Sequence, residues 1–466
     1  MMPLQPSEET LLRLRSMLQN VVGRRVGVLG LGVSGRAVAL HLARRGARVV
    51  GFDRHPTPVG LLGEHGVKVC GDDPAGLRDV DFLCIGPGAD PRQRFVTAAL
   101  ELGIPVCGEL EVAGRLPARV VSITGTNGKS TTTALVAALL RGMGQKVFVG
   151  GNFGEPVVAW LDSGLSVQTA VLELSSFQLE TAFSFHTDVA VVLNVTPDHL
   201  DRHASLDAYA RAKEQLVRCV APTGVAVLYA DDPLVRQMAG ACRGRVVWVS
   251  AFCAGVDGDG VSLAGETLRG HGAFADLGAC QLDHGQLLGP HNRLNAAAAF
   301  AAVAALRRPA RFTDLLPAYR GFAGLEHRLE KVAEIDGVVY INDSKATNDM
   351  AAGVALEAMS RPVVLLAGGR DKGGGYSHSV AAARGRVRRV LAFGEAAEDI
   401  CAAFRAVQLE VELHTSMESA CVRAQAVAVS GDAVLLSPAC SSFDAFANYA
   451  ERGRVFKAWV RAQGGD

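Results

Sequence analysis

The sequence predicts an α/β protein built as three domains. Short β-branched runs alternate with helical stretches along the whole chain. Two glycine-rich turns stand where a strand gives way to a helix. Polar residues collect at the ends of other strands, where open α/β sheets bind ligands. A chain of 466 residues is too long for one hydrophobic core. The expected domains are a Rossmann-like N-terminal unit over 1–108, a central P-loop ATPase-like unit over 109–324 and a C-terminal Rossmann-like unit over 325–466.

Composition narrows the class. Apolar residues make up 49% of the chain, charged residues only 20%, and Lys+Arg balances Asp+Glu at 47 each. That balance gives no electrostatic basis for nucleic acid or an anionic membrane surface. The first twenty residues carry Glu8, Glu9, Arg13 and Arg15 among leucines, unlike a signal or transit peptide. The run 296–306 is too short to span a bilayer. Ten cysteines lie scattered with no Cys-x-x-Cys, which fits a reducing cytoplasm.

In the N-terminal unit, a strand at 25–29 enters Gly30-Leu31-Gly32-Val33-Ser34-Gly35 and a helix follows. A second strand, 48–52, ends at Asp53. This is the dinucleotide-binding layout, with glycines for close backbone approach and an acid for the ribose. It fits NAD or FAD, or another diphosphate nucleotide. A third strand, 81–85, opens into Gly86-Pro87-Gly88.

The central unit is organised around Gly125-Thr126-Asn127-Gly128-Lys129-Ser130-Thr131, between a strand at 120–124 and a helix at 132–140. Loop N–H groups and the positive helix end suit an anion, and Lys129 suits the β- and γ-phosphates of ATP. Ser130 or Thr131 offers a hydroxyl to Mg²⁺. Ile123 replaces the first glycine of the usual pattern, leaving a shortened Gly-x-x-Gly-Lys-Ser loop. Strands are expected at 146–149, 170–174, 189–193, 225–229 and 246–249, with hairpins over 252–286. Glu173 sits at a strand exit and reads as a buried structural acid or a Mg²⁺ ligand. His199 follows another strand beside Asp198 and Asp201. Asn292 and Asn295 open an alanine-rich helix, and glycines near 321–325 mark a hinge. Strands at 338–341, 363–366, 389–392 and 433–436 complete the C-terminal unit. Three of them lead into polar loops at 342–348, 368–372 and 437–444.

Taken together, these segments resemble the Mur ligases of peptidoglycan synthesis over about 25–453. Thr-Gly-Thr-Asn-Gly-Lys-Ser marks the wider superfamily. Leu-Glu-Leu-Ser-Ser-Phe-Gln-Leu at 172–179 and Asn-Asp-Ser-Lys-Ala-Thr-Asn at 342–348 are similar to the D-glutamate-adding branch. The resemblance implies that the N-terminal turn holds UDP, with Gly32, Val33, Ser34, Asp53 and Gly88 on the substrate UDP-N-acetylmuramoyl-L-alanine. It implies ATP on the 125–131 loop, with Asn292, Asn295, Arg328 and Asp343 at the nucleotide. Ser130, Glu173, His199 and Lys213 would serve two Mg²⁺ sites, Lys213 as a carbamate. Lys129, His199, Lys213 and Asn152 would be catalytic, Asn152 and His199 near the muramoyl-alanine end. Thr347, Lys372, Ser442 and Phe443 would take D-glutamate. The implied reaction makes an acyl phosphate and then an amide, in a cytoplasmic enzyme expected to be a monomer without nucleic-acid or membrane partners.

Overall fold

The structure is a computed structural model that describes residues 6–54, 60–199, 202–251, 256, 258–283, 287, 289–371 and 373–464. Among these residues the chain forms three sheets in succession. It divides into two compact units. One holds the first two sheets, with 294–319. The other holds the third, with 284–293. The division at Tyr319/Arg320 falls next to the glycines read as a hinge.

The first sheet contains β1 (Arg25–Leu29), β2 (Arg48–Phe52), β3 (Lys68–Cys70), β4 (Phe82–Ile85) and β5 (Val106–Cys107), ordered β3-β2-β1-β4-β5. All pairs are parallel. Parallel strands are covered on both faces, which is why β1 and β4 are almost wholly apolar and buried. The winding direction reverses between β1 and β4. Their carboxyl ends therefore open a crevice, and both predicted glycine turns stand at it.

The second sheet contains β6 (Arg119–Thr124), β7 (Val147–Gly151), β8 (Thr169–Glu173), β9 (Thr187–Val192), β10 (Val220–Tyr229), β11 (Arg245–Ser250), β12 (Gly260–Ala264), β13 (Thr267–His271) and β14 (Ala279–Gln281). Their order is β14-β13-β12-β11-β10-β9-β6-β8-β7. The expected hairpin region supplies the antiparallel pairs β12–β13 and β13–β14. β6 lies between β8 and β9, so the loops after these three strands emerge side by side. The alanine-rich helix Pro290–Leu306 is buried along Ala296–Ala304, as a helix apolar on every side must be.

The third sheet contains β15 (Glu330–Ile335), β16 (Val338–Asn342), β17 (Val363–Gly368), β18 (Val387–Phe393), β19 (Glu410–His414) and β20 (Ala433–Leu436), ordered β15-β16-β20-β17-β18-β19. β16, β20 and β17 are parallel neighbours. The polar loops at 342–348, 437–444 and 368–371 thus rise from adjacent strands.

Several elements were absent from the sequence reading. The edge strands β3, β15 and β19 are half-exposed and carry lysines or glutamates, so they lack the apolar run that marks a central strand. No helix among the described residues is long and apolar enough to cross a membrane.

Candidate active site

The phosphate loop leaves β6 and enters the helix Lys129–Gly142 with no side chain capping that helix. A helix start without a side-chain cap suits an anion. Gly128 has φ +85°, and a Cβ there would lie 2.3 Å from Asn295 Oδ1. Only glycine fits, and Asn295 is thereby fixed against the loop. The rest of the loop is held by the segment after β9. The Asn127 amide donates to Asn194 Oδ1 at 2.8 Å, and the Thr126 amide donates to the Asn194 carbonyl at 2.9 Å. Ser130 and Thr131 are buried at the helix start.

Two lysines converge on this loop. Lys129 Nζ donates to the carbonyls of Gly125 and Thr126 at 2.9 and 2.8 Å. Lys213 Nζ, from the helix Leu206–Arg218, donates to the same Gly125 carbonyl at 2.8 Å and lies 4.3 Å from the centre of the Tyr209 ring. Lys213 is 1% exposed. Burial first, and the Lys129 charge second, push its pKa well below the ordinary 10.5, against weaker pulls from Asp198 and Glu173. The Tyr209 hydroxyl lies 3.3 Å from Thr126 Oγ1, and burial raises its pKa to about 12.

Glu173 ends β8 beside the loop and is 2% exposed. Asn152 Nδ2 donates to its Oε1 at 2.7 Å, and the Asn152 amide donates to its carbonyl at 2.8 Å. Its Oε2 is buried with no protein partner. A carboxyl oxygen in that position suits a hard cation. His199 stands at φ +53°, half-exposed. It packs edge-on to Phe177 at 5.0 Å and to Tyr209 at 6.4 Å between ring centres. Among the described residues no three His, Cys, Asp or Glu side chains form a metal cluster. Ser130 and Glu173 offer the few hard oxygen donors that Mg²⁺ takes while it keeps several waters.

The N-terminal crevice is a cleft of about 770 Å³. Gly32, Val33, Ser34, Asp53, Gly88 and Asn152, all expected at the substrate, line it together. Asp53 Oδ2 accepts from the Leu31 amide at 2.7 Å and so anchors the glycine turn. A Cβ at Gly35 would lie 1.8 Å from the Gly30 carbonyl oxygen, so helix and turn meet only through glycine. Asn152 belongs to both places: it is bonded to Glu173 and it lines the cleft.

In the other unit, three loops above the third sheet meet at Arg452, which is fully buried. Its guanidinium makes five hydrogen bonds, to Ser344 Oγ and the carbonyls of Ser344, Gly368, Cys440 and Ser441. Thr347 is half-buried, Ser442 buried and Phe443 exposed on these loops. Lys372 lies outside the described residues. Sequence reading missed Arg452. Its signal was its position, four and eight residues before Phe456 and Val460, on the buried face of the helix Tyr449–Ala462. Asn292 is buried in this unit too.

Asp343 also lies here, accepting from Ser437 Oγ at 2.9 Å and from the Leu329 amide at 3.2 Å. Burial raises its pKa to about 7, opposed by Ser437, the Leu329 amide and the Arg328 charge. Between about pH 4 and 7 the folded chain holds a proton that the unfolded chain has released. Stability from this group is full below pH 4 and falls by up to about 1.4 kcal/mol per pH unit across that window. Asp343→Asn is expected to flatten the slope of the unfolding midpoint between pH 4 and 7. An unchanged slope would contradict the assignment.

Residues 123–303 match the Mur ligase middle domain and 327–440 the Mur ligase glutamate ligase domain. Residues 25–92 match the NAD binding domain of 6-phosphogluconate dehydrogenase. A UDP-N-acetylmuramoylalanine–D-glutamate ligase of Pelotomaculum thermopropionicum is 40% identical over 95% of this chain and 99% of its own length. The enzyme of the same name from Nitrosospira multiformis is 40% identical over 95% and 96%. Among solved structures, UDP-N-acetylmuramate–alanine ligase of Thermotoga maritima shares the fold with a TM-score of 0.59 at 18% identity, over 94% of this chain and 99% of that one. A pseudomurein peptide ligase type C from Methanothermus fervidus does so at 0.56 and 17%, over 95% and 100%. The chain belongs to the Mur ligases, within the UDP-N-acetylmuramoylalanine–D-glutamate ligase family.

Proposed function

We propose that this chain joins D-glutamate to the alanyl carboxylate of UDP-N-acetylmuramoyl-L-alanine, in the cytoplasm and as a monomer. The observation that carries the reading is Asn152, which is bonded to Glu173 beside the phosphate loop and also lines the N-terminal cleft. A substrate held by its diphosphate on the glycine turn extends along the cleft to Asn152. Its free carboxylate then meets the phosphate loop. Bound Mg-ATP supplies the phosphoryl group that turns this carboxylate into an acyl phosphate, which the amine of D-glutamate converts to an amide.

The protein's part is placement and charge. The amides at the start of the Lys129–Gly142 helix receive phosphate oxygens, and Lys129 opposes the negative charge that develops during transfer. Asn152 orients the carboxyl end of the UDP substrate. Ser130 and Glu173, with its unpartnered oxygen, are the residues we assign to one Mg²⁺, and His199 with Lys213 to a second. The low pKa of Lys213 supports its modification. A neutral amine is the form that adds carbon dioxide, losing one proton and becoming a carbamate anion. Asn292, Asn295, Arg328 and Asp343 are assigned to the nucleotide. Thr347, Lys372, Ser442 and Phe443 are assigned to D-glutamate, on loops that Arg452 organises. The three domains are assigned the boundaries 1–108, 109–324 and 325–466.

Phosphate release measured with ATP, UDP-N-acetylmuramoyl-L-alanine and a panel of D- and L-amino acids tests the reading. It is expected to depend on D-glutamate; release with any other amino acid alone would overturn it. Lys213→Ala is expected to lose about a hundredfold or more in turnover. Part of that loss should return with formate or acetate, which replace the missing anion. Absence of rescue would count against the carbamate.

A further inference from the structure

Between the first two sheets the chain passes through Gly108 and the short helix Glu109–Ala113. The passage is tight, since a Cβ on Gly108 would lie 2.1 Å from Thr181 Oγ1. Glu109, with 4% of its surface exposed, turns inward from it. Its Oε1 accepts from the Val158 amide at 3.3 Å, in the first turn of the helix Val157–Ser163. The Ser34 hydroxyl of the glycine turn also interacts with this carboxyl. Its Oε2 is buried without a protein partner, as are Gln178 Nε2 and Arg202 Nε. All three residues line one gap of about 10 Å³, about the room one water needs. Gln178 also lines the large cleft.

The far end of helix Val33–Arg44, which starts at the Ser34 turn, is joined to the far end of helix Val157–Ser163 as well. His41 Nδ1 lies 2.6 Å from Asp162 Oδ1, and Arg44 Nη1 donates to Asp162 Oδ2 at 2.9 Å. Helix Val33–Arg44 begins in the glycine turn, and helix Val157–Ser163 follows the loop of Asn152. They are thus fastened to each other at both ends.

We propose that Glu109 is a positioning residue for the UDP-linked substrate, holding the Ser34 turn at a fixed spacing from the Asn152–Pro156 loop. The two ends of one long ligand are then gripped by a single preset frame, its inner tie being Glu109, bonded to Ser34 and joined through one bridging water to Gln178 and Arg202. The inference rests on the reading of the cleft as the UDP-substrate site. It adds a residue that touches neither substrate nor nucleotide.

Steady-state kinetics of Glu109→Ala test it. KM for UDP-N-acetylmuramoyl-L-alanine should rise about tenfold while KM for ATP and kcat change by less than about twofold. Glu109→Gln, which keeps an acceptor for Val158 and a polar group for Ser34, should restore most of the loss. A uniform loss in all parameters, or an unchanged KM beside an active wild type, overturns the inference alone. A wild type that releases no phosphate overturns the reading of the cleft, and the inference with it. Should Glu109→Ala fail to fold, calorimetric binding of UDP to Ser34→Ala, to Glu109→Met, which fills the space without an acceptor, and to the double variant decides. Non-additive losses support the tie, and additive ones refute it.

Discussion

Lys129→Ala is expected to reduce amide formation by about a thousandfold or more while the UDP substrate still binds. The split follows from where the side chain lies. Lys129 Nζ folds back on the Gly125 and Thr126 carbonyls, over the loop assigned to phosphate, and it is not among the residues lining the cleft assigned to UDP. The change removes a cation at the point where charge develops. It leaves the glycine turn, Asp53 and Asn152 in place. A second consequence concerns Lys213, whose amine is disfavoured as an ammonium partly by the Lys129 charge. Without that charge, Lys213 should hold its proton more readily. Turnover in the variant comparable with wild type would remove the loop from the mechanism.

Arg452→Ala should be the most damaging change in the other unit. Five hydrogen bonds vanish, and four buried carbonyl oxygens lose a charged donor. The expected cost is about 4 kcal/mol of stability. Burial lowers the Arg452 pKa to about 10, with Asp444 and Cys440 opposing, so it remains a cation near neutral pH. Arg452→Lys should recover only part of the loss, because one ammonium cannot span the three loops that a planar guanidinium reaches. Urea unfolding of both variants measures the loss and its partial recovery. An unchanged midpoint in Arg452→Ala would show that the loops hold their positions without it.

The reach of the sequence followed the range of the interactions. The phosphate loop was legible because glycine, lysine and hydroxyl residues sit side by side, with the strand and helix that present them. The central strands were legible because burial on both faces makes them apolar throughout. Strand order was not, since β6 pairs with β8 and β9 through contacts distant in sequence. Arg452 and Glu109 escaped for a related reason. Each is an ordinary charged residue in a helix until the fold brings distant loops around it. The glycine turn left NAD, FAD or another diphosphate nucleotide open, and its own match is to an NAD binding domain. What decides against an oxidoreductase is the rest of the chain. The cleft shares Asn152 with Glu173 beside the Gly125–Thr131 loop, and 40% identity over nearly the full length joins the chain to ligases.

The central claim is that the alanyl carboxylate itself is phosphorylated. Mass analysis of phosphate released from UDP-N-acetylmuramoyl-L-alanine carrying ¹⁸O in that carboxylate tests it directly. With ATP and D-glutamate present, one labelled oxygen should pass to inorganic phosphate for each amide formed. Phosphate released without label, while the amide forms at the normal rate, would contradict the account.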